Sequence, residues 1–336
     1  MQNTNFNVAV CMITYNQEKY IAQAIESVLA QATNFNITLF IGDDHSTDGT
    51  STVCRRYKKE HPDSIMLIRH EHNLGTVGNT FAIFEEILNR KEKFKYTAML
   101  DGDDYWCNEN KLQKQIDFLE KHPDHGLIHT DVALLDNLSG VIHITKKKNV
   151  PTGDIFLQSF EASIANCTVV YRTELLARLD MDGIRKAKLL SCDYITNVVV
   201  SKWGKVGFID EITAVWRRNI GSVSAPNDMS KALGYLDHEI GSGNYLSSLF
   251  PVEYPFLPEE QNRYIARRKM EIAQTFNNYD LAVEALNTSN VFSNRTLLRF
   301  SLTNRLFFAL FLKVRDRKKK IEQSLNRVDG SQRNKA

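Results

Sequence analysis

Asp101, Asp103 and Asp104 place three carboxylates within four residues, directly after the apolar run at 96–100. Like charges that close repel and raise one another's pKa unless a cation or hydrogen-bond donors compensate. A helix cap needs one short polar side chain, so three acids require another explanation. Charged clusters beside a buried strand commonly hold a cation or a cationic ligand. Hard divalent ions take carboxylate oxygens, and Mg2+ keeps waters and substrate phosphates in its remaining positions. In an extended chain the D-x-D spacing turns Asp101 and Asp103 to one side, and Gly102 between them admits a ligand closely. The stretch reads as a metal-and-phosphate site.

Two further polar groups follow apolar runs: Thr14-Tyr15-Asn16 after 8–13, and the segment from Asp43 to Gly49 after 37–41. The second has an ordinary reading as a turn and helix cap, because Asp, Ser and Thr serve both roles. It also starts like a calcium loop, but the twelfth position is Arg55 where a glutamate is required. The stretch from Asp101 fails the same test, with Trp106 where the glycine belongs. No G-x-G-x-x-G follows the first run and no G-x-x-x-x-G-K-[ST] occurs, which leaves dinucleotide and P-loop sites unsupported. Phosphoryl transferases of the acid-phosphatase type use a D-x-D after their first strand; here it follows the fourth.

The elements that must position these groups alternate through the first hundred residues. Strands are expected at 8–13, 37–41, 65–68 and 96–100, with helices at 19–30, 50–60 and 80–89 between them. Continuous apolar strands separated by helices argue for a parallel sheet covered on both faces. Such sheets bind ligands at the carboxyl ends of their strands, where all three polar groups stand. Beyond residue 121 the rhythm becomes mixed. Strands are expected at 127–135 and 141–145, joined through Leu138-Ser139-Gly140, then at 167–171, 206–209 and 214–216. From about residue 226 the pattern is helical, and residues 279–286 resemble one helix of a helical-repeat unit.

Taken in order, the motifs carry a resemblance. Ile13-Thr14-Tyr15-Asn16 comes first, then Asp43-Asp44-x-Ser46-Thr47-Asp48-Gly49-Thr50 and Asn73-Leu74-Gly75-x-x-x-Asn79. Leu100-Asp101-Gly102-Asp103-Asp104-x-Trp106, His129-Thr130-Asp131, residues 168–172 and Trp216-Arg217-x-x-x-Gly221-Ser222-Val223-Ser224 complete the series. Over about residues 6–225 the chain resembles an inverting family-2 glycosyltransferase, of the kind that builds bacterial surface polysaccharides. The resemblance implies a GT-A-like, Rossmann-related mixed sheet flanked by helices, a UDP- or dTDP-sugar donor, and Mn2+ or Mg2+. It places Thr14, Tyr15, Asn16 and Glu18 in the nucleotide-binding loop, Asp44 at the base edge with Asp43 near it, and Asn73 and Gly75 beside them. Asp101, with Gly102 next to it, is expected at the ribose and Asp103 at the metal. Asp104, Arg217 and Ser222 are supporting residues, and Trp106 lines the sugar or acceptor side. The general base of the family precedes a helix about ninety residues after the D-x-D, which points to Asp193; its ordinary reading is the N-cap of a helix at 194–202. Two positions depart from the family pattern: Gly78 stands where many relatives carry an arginine, and Cys192 where many carry glutamate.

The physical logic of such a transfer suits these residue types. A metal stabilises the charge that develops on a departing nucleoside diphosphate, and in-line attack by an acceptor hydroxyl needs a base facing the anomeric carbon. Two other readings of the acidic cluster stay open at this point: phosphoryl or nucleotidyl transfer, and a non-catalytic nucleotide-sugar-binding subunit.

Composition sets the remaining bounds. The 336 residues are 43% hydrophobic and 24% charged with a net charge of +2, ordinary globular values that give no support to nucleic-acid binding. Five cysteines, scattered and never spaced C-x-x-C, fit a reducing cytoplasm rather than a disulfide framework or zinc site. The first residues lack a signal-peptide pattern, and no window reaches the ~18 apolar residues of a spanning helix. Three divisions are expected: a nucleotide-sugar-binding domain at 1–225, a helical extension at 226–294 and a basic tail at 295–336. Within the tail, residues 295–320 hold nine Lys or Arg against one acid, Asp316. On a helix, Arg295, Arg299, Lys313 and Arg317 fall opposite Phe300, Phe307, Phe311 and Val314, a stripe that Leu302 and Leu306 interrupt. That composition suggests peripheral contact with the inner face of the membrane and a saccharide or lipid-linked acceptor there.

Overall fold

Four parallel strands frame the site: β1 (Asn7–Thr14), β2 (Asn36–Asp43), β3 (Ile65–Arg69) and β4 (Phe94–Asp101). They lie in the order β3-β2-β1-β4, each pair parallel. Val8, Ala9, Val10, Cys11 and Met12 are all at most 1% exposed, so both faces of β1 are covered and the apolar run is continuous instead of alternating. The computed structural model describes residues 6–90, 93–144, 150–154, 164–219, 226–253, 258–288 and 308. It divides into two compact units, Met1–Ala225 and Pro226–Ala336.

Helices α1 (Ile21–Leu29), α2 (Thr50–Glu60) and α3 (Gly75–Asn89) connect these strands. In α1 the buried residues are Ile21, Ala24, Ile25 and Val28, the i, i+3, i+4, i+7 stripe of a helix lying on a sheet. Truncating one of them, as in Ile25→Ala, would cost about 2–5 kcal/mol, a large share of a domain's net stability. Helix α3 starts five residues before the expected 80, because Gly75, Thr76 and Gly78 weaken the helical signal of its first turn.

The second half of the unit extends the same sheet. It contains β5 (Tyr105–Trp106), α4 (Lys111–Lys121), β6 (His125–Asp136), β7 (Val141–Ile144), β8 (Val170–Arg172), α5 (Thr173–Leu176), α6 (Met181–Lys186), α7 (Asp193–Trp203) and β9 (Lys205–Arg218). Strand order continues β4-β8-β6-β9-β5, with β7 paired to β6 as a hairpin. β8 is antiparallel to both β4 and β6, whereas β9 runs parallel to β6 and antiparallel to β5. The expected strands at 206–209 and 214–216 are one strand. Its register against β6 slips between Thr130 and Val132, so Asp210, Glu211 and Thr213 bulge out of the ladder without ending it. At 167–171 only the last part is strand; Asn166–Thr168 forms a single 3-10 turn.

The second unit is helical: α8 (Met229–Leu249), α9 (Pro258–Thr275) and α10 (Tyr279–Thr288). Asn277 takes a left-handed φ of 52° between α9 and α10, and Asn278 then accepts from the Leu281 N–H at 2.8 Å to start α10. Ala266, Met270, Ala273, Leu281, Ala282 and Ala285 form its core. Apart from Phe308, residues 289–336 lie outside the described residues, and with them the basic tail. Phe308 is buried in this core, edge-on to Tyr279. Among the described residues no helix is long and apolar enough to cross a membrane.

Candidate active site

The loops that follow β1 and β2 are tied together at the carboxyl edge of the sheet. Asn16 and His45 take left-handed φ values of 52° and 62°, which turns each chain sharply off its strand. Asn16 N–H then donates to Ser46 Oγ at 3.1 Å, Gln17 N–H to Thr50 Oγ1 at 2.8 Å, and Thr47 N–H to Asn16 Oδ1 at 2.8 Å. Glu18 reaches across to accept from the Gly49 N–H at 3.1 Å, so its carboxylate sits at the positive end of α2. A side chain at Gly49 would strike that carboxylate. Tyr15 is exposed at this edge, and Thr14 is buried with its hydroxyl donating to Gln17 Oε1 at 2.8 Å.

Asp43 and Asp44 are both buried, and the backbone around them supplies donors. Asp43 accepts from Ser46 N–H at 3.0 Å and from the Ser51 hydroxyl, with Arg69 Nε 3.6 Å away. Asp44 accepts from Leu74 N–H at 2.7 Å, and its carbonyl accepts from Asn73 Nδ2 at 3.2 Å. Gly75 adopts a φ of 73° and donates to Asn73 Oδ1 at 3.0 Å. Asn79 turns away from this edge: it donates to Gly42 O at 2.8 Å and lies 3.0 Å from His70 Nε2.

The acidic cluster occupies the end of β4. Gly102 donates to Ile13 O at 2.9 Å, and a Cβ there would lie 2.6 Å from Gln17 Oε1 and 2.9 Å from Thr14 Cβ. Only glycine lets the two strand ends approach this closely. Asp101 receives Asn166 Nδ2 on both oxygens, at 3.2 and 3.3 Å. Burial is the main cause that raises its pKa, followed by the charge of Asp103 and, more weakly, of Asp193. Asp103 Oδ2 receives Asn219 Nδ2 at 2.7 Å; burial raises this carboxyl too, and Asn219, Arg217 and Gln17 pull it back. Asp104 is 2% exposed, accepts from Arg217 N–H at 2.8 Å and is pushed well up by burial and then by the two neighbouring acids.

Arg217 braces the cluster. Its guanidinium donates to Asp103 O at 2.5 Å and to Gln23 Oε1, and lies 4.7 and 5.0 Å from the ring centres of Tyr105 and Tyr20. It is 7% exposed, so its charge reaches the acids from inside the protein, while Arg218 is exposed.

Asp193 is the first residue of α7, and the residue before it, Cys192, occupies the cap position without a side-chain capping hydrogen bond. Asp193 is therefore not the N-cap; it sits half-buried in the first turn, accepting from Ser191 Oγ at 2.5 Å. The preceding loop is tied to the start of α3, where the Thr76 hydroxyl donates to Leu190 O.

Trp106 differs from its expected place. It is 4% exposed, belongs to the main core and donates Nε1–H to Cys167 O at 2.8 Å, with Lys111 Nζ 4.4 Å from its ring centre. An aromatic beside an acidic motif cannot be assigned to core or surface by spacing alone. Ser222 lies outside the described residues. Conversely, Gln17, Gln23, Asn166 and Asn219 hold the acids or their brace yet stand at positions that the motifs do not specify. No local sequence signal marks them.

The donor set fits a hard divalent cation. Asp101 and Asp103 offer carboxylate oxygens that burial leaves short of positive charge. Among the described residues no group of three or more His, Cys, Asp and Glu is arranged to hold a metal.

A mixed sheet of this order, with acids at the ends of its parallel strands, defines a GT-A type of fold. The mannosyltransferase PcManGT from Pyrobaculum calidifontis, solved with GDP-Man and Mn2+, shares that fold. It is 15% identical, with a TM-score of 0.54 over 89% of this chain and 84% of its own. Residues 9–150 match the family model described as glycosyl transferase family 2. Protein Rv1520 of Mycobacterium tuberculosis is 28% identical over 230 residues, 67% of this chain. TuaG of Bacillus subtilis, named as a teichuronic acid biosynthesis glycosyltransferase, is 28% identical over 232 residues, covering 66% of this chain and 84% of its own. This chain spans 63% of the length of Rv1520, less than two thirds of that curated relative.

Proposed function

We propose that this protein is a metal-dependent inverting glycosyltransferase, moving a sugar from a UDP- or dTDP-sugar to a saccharide or lipid-linked acceptor in cell-surface polysaccharide synthesis. One observation carries the reading: the carboxylates of Asp101 and Asp103 gather at the end of β4, with Asp193 close enough for its charge to act on Asp101. Asp44 holds the base edge, aided by Thr14, Tyr15 and Asn16, and Asp101 holds the ribose. Asp103 would hold Mn2+ or Mg2+, with Asp104 and Arg217 fixing the turn. Bound there, the cation supplies Lewis-acid stabilisation of the departing diphosphate. Asp193 takes the proton of the acceptor hydroxyl as its oxygen bonds to the anomeric carbon and the bond to the diphosphate oxygen breaks.

The family relationship and TuaG's naming support the polymer context. The basic composition of residues 295–320 supports work at the cytoplasmic face of the membrane, which cosedimentation with anionic vesicles tests. The main test is a thermal-shift screen of nucleotide sugars with and without Mn2+, followed by chromatography of the products. A donor-specific shift and release of nucleoside diphosphate are expected. Stabilisation by no donor at all, or release of free phosphate with the sugar left behind, would overturn the assignment.

A further inference from the structure

Asn166 is placed with unusual firmness for a loop residue. It opens the 3-10 turn Asn166–Thr168, and that turn is clamped from three elements. Trp106 Nε1–H donates to Cys167 O at 2.8 Å, Gln115 Nε2 to Thr168 O at 2.8 Å, and Met99 N–H to Val169 O at 3.0 Å. The Asn166 backbone is therefore held by β5, α4 and β4 together. Its side chain spends Nδ2 on both oxygens of Asp101, at 3.2 and 3.3 Å. Its Oδ1 is buried and, among the described residues, accepts no hydrogen bond.

A buried acceptor without a donor destabilises a folded protein, and native structures hold few of them. An apolar side chain of the same size would remove that penalty but would take the amide donor from both oxygens of Asp101. What the amide gives in return is the orientation of one carboxylate.

We propose that Asn166 is a positioning residue that locks the carboxylate plane of Asp101 so that it meets a hydroxyl of the bound nucleotide. The proposal rests on the nucleotide-sugar reading above. Free carboxylates rotate about their last torsion, whose energy profile is broad. A bridging N–H between the two oxygens removes that freedom before the ligand arrives, which lowers the ordering cost of binding. Asn166 touches no reacting atom and acts through Asp101 alone.

The test is a double-mutant cycle on the full chain, read as affinity for a nucleoside diphosphate at saturating Mn2+. UDP, GDP and dTDP are titrated calorimetrically into the parent, and the tightest binder is used throughout. Asn166→Leu should weaken binding about tenfold in the parent and less than twofold in an Asp101→Asn background. Asn166→Ala, which cannot clash, should show the same pattern, with thermal midpoints of the free variants showing that both are folded. Equal losses in both backgrounds, or none in either, overturn the positioning role. So does unfolding of both variants, which would assign Asn166 to the fold. Binding of no diphosphate by the parent overturns the nucleotide reading and this role with it, whereas tight binding by parent and variants alike removes only this role.

Discussion

Asn219 and Asp103 lie 116 residues apart in the chain, yet the amide Nδ2 of one sits 2.7 Å from Oδ2 of the other. Asn219 is in turn held by Asn137, whose amide donates to Asn219 Oδ1 and, at 3.2 Å, to the Tyr20 hydroxyl. The acid assigned to the metal is thus fixed from behind by a relay that starts at the turn between β6 and β7.

Removing the near end of that relay should loosen the proposed metal site without unfolding the protein. A hydrogen bond to a charged group contributes about 1.5–3 kcal/mol, and about 1.4 kcal/mol is tenfold in affinity. Asn219→Ala should therefore raise the Mn2+ concentration needed for half-maximal nucleotide stabilisation by at least about tenfold. A Mn2+ titration followed by thermal shift checks this, and an unmoved half-point counts against the relay.

Asp193→Asn separates chemistry from binding. Loss of a general base costs typically about 10²–10⁴ in rate, while the donor contacts stay in place. Turnover should fall by that amount with the nucleotide-sugar thermal shift retained. Because Cys192 occupies the cap position, the thermal midpoint of the free variant should change little. Undiminished turnover would remove Asp193 from the reaction.

Gly102→Ala tests the contact between the two strand ends. The new methyl would meet Gln17 Oε1 at 2.6 Å and the Thr14 side chain at 2.9 Å. Overpacking of this kind costs about 1–3 kcal/mol. Urea unfolding should show that loss, together with weaker nucleotide binding as the β1 loop shifts. Unchanged stability would mean the loops accommodate the methyl.

Lys111 gives a pH dependence of defined sign. It is fully buried, donates to Gln115 Oε1 at 2.6 Å, and burial lowers its pKa to about 7. Between about 7 and the unfolded value of about 10.4, the unfolded chain holds the proton that the folded chain has lost. Stability contributed by this group therefore rises with pH across that window and is flat below it. The parent should gain stability relative to Lys111→Met as pH is raised from 7 to 10, measured as unfolding free energy in urea. Parallel pH curves would show that Lys111 titrates normally.

The first four strands are legible in the sequence because β1, β4 and the carboxyl half of β2 are buried on both faces, β3 is a short apolar run, and continuous apolar runs leave little choice of element. Legibility drops where polarity and pairing part company. Asp210 and Glu211 interrupt the apolar pattern of β9 but bulge instead of ending it, which only the ladder to β6 reveals. The glycines of α3 hide its first turn, and Trp106 looks like a site residue because core and surface aromatics share one alphabet. In the site, the acids announce themselves by crowding. Their keepers do not: Asn166 and Asn219 contact Asp101 and Asp103 across 65 and 116 residues, and amides of that kind are common everywhere in a chain.

Arg217 enters the sheet on β9, 114 residues after the Asp103 carbonyl it binds. At a synthesis rate of about 5–20 residues per second, the acids leave the ribosome about 6–23 s before their brace. During that interval β4 is already available to pair with β1, and the nascent chain carries a cluster of carboxylates with no guanidinium behind it. Among the described residues β9 is the last strand to be made, so a chain stalled or cut before it would hold the four strands β1 to β4 and their acids without the guanidinium that braces them.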